Sequence, residues 1–78
     1  MHRLKILTPY IKLDQLLKLA GWVGSGGQAK EVIAAGEIKV NGEIETRRGK
    51  KLTTGDQIQF MSEMVEIESL SNSPDEFD

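Results

Sequence analysis

A chain of 78 residues with no cysteine and a single histidine, His2, has room for one small domain; it can hold no disulfide or thiolate metal site, and no cofactor is expected. No apolar run approaches the roughly 20 residues of a membrane span and no leader-like apolar stretch opens the chain, so a cytoplasmic protein away from membranes is expected. The net charge of −2 conceals an asymmetry that suits a polyanion partner: all 10 basic side chains lie in residues 1–60 against 6 acidic ones, while residues 61–78 carry 6 acidic groups and no basic one.

Residues 3–7 partly alternate and predict a first strand. Thr8-Pro9 ends it, since proline restricts the residue before it; alternatively Thr8 caps a helix with Pro9 at its first position. Leu13, Leu16, Leu17 and Ala20 recur at helical spacing and predict helix one over about 13–20, with Asp14 in its first turn and Gly21 stopping it. Trp22 bridges to helix two and is expected as a core anchor rather than a base-stacking surface. Ser25 with Gln28 fits a capping box. Gly26 and Gly27 fall in the first turn, where glycine leaves backbone N–H groups approachable. Ala29, Val32 and Ile33 share the inner face, Lys30 lies opposite, and Gly36 is placed to cap the end.

Residues 37–40 alternate as a strand, with Ile38 and Val40 inward and Lys39 outward. Asn41-Gly42 is the strongest short hairpin signal, and residues 43–45 return with Glu43 and Glu45 pointing to solvent. The polar loop 46–51 carries Arg47, Arg48, Lys50 and Lys51. Leu52 returns to the core and Thr54-Gly55-Asp56 turns. Strands over 57–61 and 64–68 direct Ile58, Phe60, Val65 and Ile67 inward, with Ser62-Glu63 joining them. Residues 69–78 are polar and acidic and are expected to form a disordered tail. The fold class is α+β, two short packed helices against a small, mostly antiparallel sheet.

The chemistry points to binding. His2 sits at a chain end, and no nucleophile is paired with a base. Gly24-Ser25-Gly26-Gly27 lacks both the Walker spacing and the acidic residue of a dinucleotide fingerprint. Lys30, Lys39, Arg47, Arg48, Lys50 and Lys51 are expected to converge on one surface beside the start of helix two. Cations and free backbone N–H groups together suit phosphate. Aromatic residues are few, so recognition of shape and backbone is favoured over base reading. A protein–protein adaptor using the sheet edge or the acidic end is the competing reading.

The order Leu13-Asp14-x-x-Leu17, then Ser25, Ala29, Ile33, Gly36, Ile38, Val40-Asn41-Gly42, then Gly55-Asp56-x-Ile58 resembles the RNA-binding domain named after small-subunit ribosomal protein S-four, also called the alpha-L motif. The resemblance covers about residues 12–60 of a domain bounded at 1–68. The segments Gly26-Gly27-Gln28-Ala29-Lys30 and Glu45 to Lys51 resemble short, stand-alone bacterial members. This implies non-catalytic binding of structured RNA, ribosomal or transfer, on the ribosome or an assembly intermediate, by a monomer. The family's helix-two and hairpin surface maps onto Lys30, Lys39, Asn41, Arg47 and Arg48, and with Lys12, Gly26, Gly27, Gln28, Lys50 and Lys51 these are the expected RNA-binding residues. Many members have arginine where Gly26 and Gly27 stand. Lys12 replaces the usual arginine and cannot make a bidentate contact, and Asn41 is demanded by the turn whatever the ligand.

Overall fold

Alternation at the start of the chain forms β1 (His2–Ile6), which buries Ile6 and leaves Leu7 beyond it 79% exposed. This is a computed structural model, and it describes residues 2–70. After Thr8-Pro9 comes a two-residue strand, β2 (Ile11–Lys12), that runs directly into α1 (Leu13–Leu19). The leucine spacing works as expected: Leu13, Leu16 and Leu17 are fully buried. Gly21, at φ 78°, takes the left-handed conformation that ends the helix without a Cβ clash.

α2 (Gly26–Ala34) buries Ala29 and Ile33 and packs on α1 within one shared core. Val32 and Ala20 are only half-buried, so the inner face is narrower than the helical spacing suggests. β3 (Ile38–Val40) and β4 (Glu43–Ile44) form the expected hairpin. Asn41 and Gly42 both have positive φ, 54° and 88°, as a two-residue turn matching the strand twist requires. β5 (Lys51–Leu52) buries Leu52 and pairs antiparallel with β2 in a small ribbon. β6 (Gln57–Phe60) and β7 (Glu63–Ser69) complete the main sheet.

That sheet has the order β1-β7-β6-β3-β4, with β1–β7 its only parallel neighbours. Ile38, Val40, Ile58, Val65 and Ile67 supply its inner face and meet the two helices and Leu52. The β6–β7 connection differs from expectation. Met61-Ser62 makes the turn, Met61 adopts φ 57° without a glycine, and β7 begins at Glu63. Phe60 and Trp22 are half-buried at the rim of the core, their rings 5.7 Å apart and tilted 45°, and Trp22 Nε1 donates to Glu63 Oε1 at 3.1 Å. Trp22 therefore ties the helix linker to the sheet and is not buried beneath the helices.

β7 also runs one residue past the expected boundary at 68. Ser69 closes β7, and the Leu70 N–H donates to the Ile6 carbonyl at 2.8 Å. The rest of the expected tail, 71–78, lies outside the described residues. Among the described residues no helix is long and apolar enough to cross a membrane.

Candidate nucleic-acid interface

The loop between β4 and β5 is shaped first by its own charges. One Glu45 oxygen accepts from the Arg47 backbone N–H at 3.0 Å and from Nε at 2.9 Å, while the other accepts from Nη2 at 3.2 Å. The guanidinium fork closes on the carboxylate with two parallel bonds. These hydrogen bonds hold the Glu45 carboxyl well below the usual range, at about 2, and raise Arg47 in turn. The Glu45 side chain is only 14% exposed, so it is not the solvated residue that strand alternation implies. The reason is local: β4 ends at Ile44, and the alternation does not extend beyond it.

The loop is then seated on the first helix. Lys12, the N-cap of α1, makes no side-chain capping bond. Instead the Leu13 N–H donates to the Lys50 carbonyl at 2.9 Å and the Asp14 N–H to the Arg48 carbonyl at 3.2 Å. Loop carbonyls thus satisfy donors that a Ser or Asp side chain would ordinarily take. Arg48 Nε lies 3.8 Å from Asp14 Oδ2. In the ribbon, Lys12 and Lys51 are direct cross-strand partners, both exposed. Lys51 Nζ stands 4.8 Å from the centroid of the Tyr10 ring.

Lys12, Arg48, Lys50 and Lys51 are therefore gathered around the start of α1, with Arg47 beside them on Glu45. The remaining candidates sit elsewhere. Lys30 is exposed on α2, and Lys39 is exposed on β3 between Ile44 and Gln59. At the start of α2, Ser25 Oγ accepts from the Gln28 N–H at 3.1 Å, and Gln28 Oε1 accepts from the Gly24 N–H at 2.8 Å. This is the expected capping box, reaching one residue further back. A Cβ at Gly26 would meet nothing within 4 Å, and one at Gly27 only Ser25 Oγ at 4.0 Å, so packing does not require either glycine. The Asn41 amide is already engaged at the surface: its Nδ2 donates to Asp56 Oδ1 at 3.1 Å and its Oδ1 accepts from the Gln57 N–H at 2.9 Å. Tyr10 and the β2–β5 ribbon escaped sequence reasoning. Two-residue strands have no periodicity to detect, and the one available signal was an aromatic residue beside a lysine.

The chain is similar to known proteins in sequence and in fold. The family model that matches, covering residues 4–68, is that of the S4 domain. The putative RNA-binding protein YbcJ of Escherichia coli (strain K12) is 44% identical over 59 residues, which is 76% of this chain and 84% of YbcJ. The probable ribosome maturation protein RlbA of Bacillus subtilis (strain 168) is 45% identical over 57 residues, 73% of this chain and 80% of RlbA. The solution structure of YbcJ from E. coli, described as revealing an alpha-L motif involved in RNA binding, superposes with a TM-score of 0.65 at 40% identity and covers 86% of each chain.

Proposed function

The chain belongs to the S4 domain family, and from that premise we propose that it binds structured RNA, ribosomal RNA foremost, in the cytoplasm and without catalysing a reaction. The observation that carries this reading is the loop seated on α1, which collects Lys12, Arg48, Lys50 and Lys51; of these four, among the described residues, only Arg48 forms an ion pair, with Asp14. Such a cluster suits a phosphate backbone and would be costly to assemble for an uncharged partner. Arg47 lies in the same loop, while Lys30 on α2, Lys39 on β3 and the open start of α2 at Gly26, Gly27 and Gln28 are exposed away from this cluster and would serve as further contacts. A role on the ribosome or an assembly intermediate is supported by the likeness to RlbA, a probable ribosome maturation protein.

The test is a salt titration of binding to ribosomal RNA fragments. Each phosphate contact steepens the dependence of log affinity on log salt by about 0.7–0.9. Changing Lys12, Arg48, Lys50 and Lys51 together to Ala is expected to flatten the slope by roughly 2–4. Thermal stability should hardly change, because exposed cations contribute little to folding. An unchanged slope and affinity would remove this cluster from the interface and favour a protein-binding adaptor.

A further inference from the structure

Tyr10 lies in a segment fixed on both sides. Thr8 Oγ1 donates to the Tyr10 carbonyl at 2.7 Å, and Ser69 Oγ donates to the Thr8 carbonyl at 2.7 Å. Ile11, the next residue, packs against the core, while Tyr10 stays 40% exposed. A shallow groove runs beside it, lined by Thr8, Pro9, Tyr10, Ile11, Lys12 and Gln15. One exposed tyrosine is ordinary. This one stands beside two lysines that face each other across the ribbon, Lys12 and Lys51, and neither forms an ion pair among the described residues. Like charges placed directly opposite are destabilising, so the free protein holds a repulsion that an anion would relieve.

We infer that Tyr10 is a stacking platform for one unpaired nucleobase of the bound RNA, whose phosphate lies between Lys12 and Lys51. The inference rests on the RNA-binding reading above and adds to it a base-contacting residue. A duplex would satisfy the lysines but leave the ring unused, because its bases are already stacked. An acidic peptide would likewise answer only the charges. An unpaired nucleotide brings a phosphate and a flat aromatic face within one unit, which matches both features. The ammonium of Lys51 does not protect the ring from a base. An exposed cation–π contact shifts an equilibrium about 2- to 5-fold, whereas a base stacked on an aromatic side chain shifts it about 5- to 150-fold.

The experiment uses the full chain and two RNA hairpins that differ only in one unpaired nucleotide beside the stem. Wild type should prefer the bulged hairpin. Tyr10→Leu should lose about 5- to 150-fold on that hairpin and little on the fully paired one, with the salt slope unchanged. Tyr10→Phe should keep the preference, since stacking needs the ring and not the hydroxyl. In wild type, the ring protons of Tyr10 should shift upfield in NMR spectra as the bulged hairpin is added, a readout that does not depend on any variant folding. Equal affinities of Tyr10→Leu and wild type, a loss that Tyr10→Phe does not restore, or unmoved ring resonances would overturn the stacking role and leave RNA binding intact. A wild type with no affinity for either hairpin at low salt would overturn the RNA reading itself.

Discussion

Arg47 enters the basic loop already held by another group. Its fork is closed on Glu45, so any phosphate must compete with a carboxylate that touches it at 2.9 and 3.2 Å. Replacing Glu45 with Gln removes that competitor and one negative charge from the face. The expected result is tighter RNA binding at low salt and a salt slope steeper by about one contact; weaker binding would mean that the pair pre-orients Arg47 for its ligand. The same pair has a pH signature. The Glu45 carboxyl titrates at about 2 in the folded protein, below its unfolded value. Its contribution to stability is therefore complete above the ordinary carboxylate range and is lost as pH falls from about 4.5 towards 2. Wild type should lose a few degrees more of melting temperature over that window than Glu45→Gln, and added salt should shrink the difference, because Arg47 is 71% exposed. The two polar residues Glu45 and Asn41 also mark how far sequence reasoning reaches at this scale. The Asn41-Gly42 turn was legible because its backbone angles demand those residue types. That the Asn41 amide reaches Asp56 and Gln57, 15 and 16 residues on, was not legible, because side-chain partners depend on tertiary placement.

Both helices and the β3–β4 hairpin were readable because each carries a local signal: apolar spacing in α1 and α2, a capping box at Ser25, and Asn-Gly at the turn. The core follows from them, and truncating Leu17 or Ile33, both fully buried, to Ala should cost about 2–5 kcal/mol. Unchanged melting of either variant would show the core to be misassigned. The β2–β5 ribbon and the parallel pairing of β1 with β7 were not readable, since a short segment does not encode which distant segment it will join. The ribbon nevertheless shapes the proposed interface, by putting Lys12 opposite Lys51. Lys12→Glu converts a repulsive cross-strand pair into an attractive one, a change worth about 0.2–1 kcal/mol in stability. The same substitution puts a carboxylate where RNA phosphate is expected. A thermal melt and a binding assay should therefore move in opposite directions, the melting temperature up and the RNA affinity down. A variant less stable and equally able to bind would show that the lysine pair serves the fold.

Across the described molecule, the acidic residues of β7 are built into the sheet. The β1–β7 register sets Arg3 opposite Glu66 and Lys5 opposite Glu68, so the sheet edge offsets two cations with two carboxylates. The unbalanced positive charge is left around the start of α1, which is why the net charge of −2 describes the binding face so poorly. This register also makes Ser69 and Leu70 structural. β1 is an edge strand held on one side only; Leu70 N–H to the Ile6 carbonyl and Ser69 Oγ to the Thr8 carbonyl secure its far end and the residues after it, and Ser69 N–H to Thr54 Oγ1 ties the end of β7 to the turn before β6. At roughly 0.5–1.5 kcal/mol each, the three contribute about 1.5–4.5 kcal/mol together. A chain ending at Leu70 keeps all three and should melt with the full-length protein. It also sheds the charges of Asp75, Glu76 and Asp78, so its RNA affinity should rise modestly at low salt and converge with full length as screening increases. A chain ending at Glu68 loses all three bonds and should melt lower by roughly 6 °C or more. Because Ser69 also holds Thr8, it should lose the Tyr10 platform before it unfolds, and its preference for an RNA bulge should vanish at temperatures where binding to paired RNA persists. Identical melting of the two truncated chains would refute the structural role of Ser69 and Leu70 and return the domain boundary to residue 68.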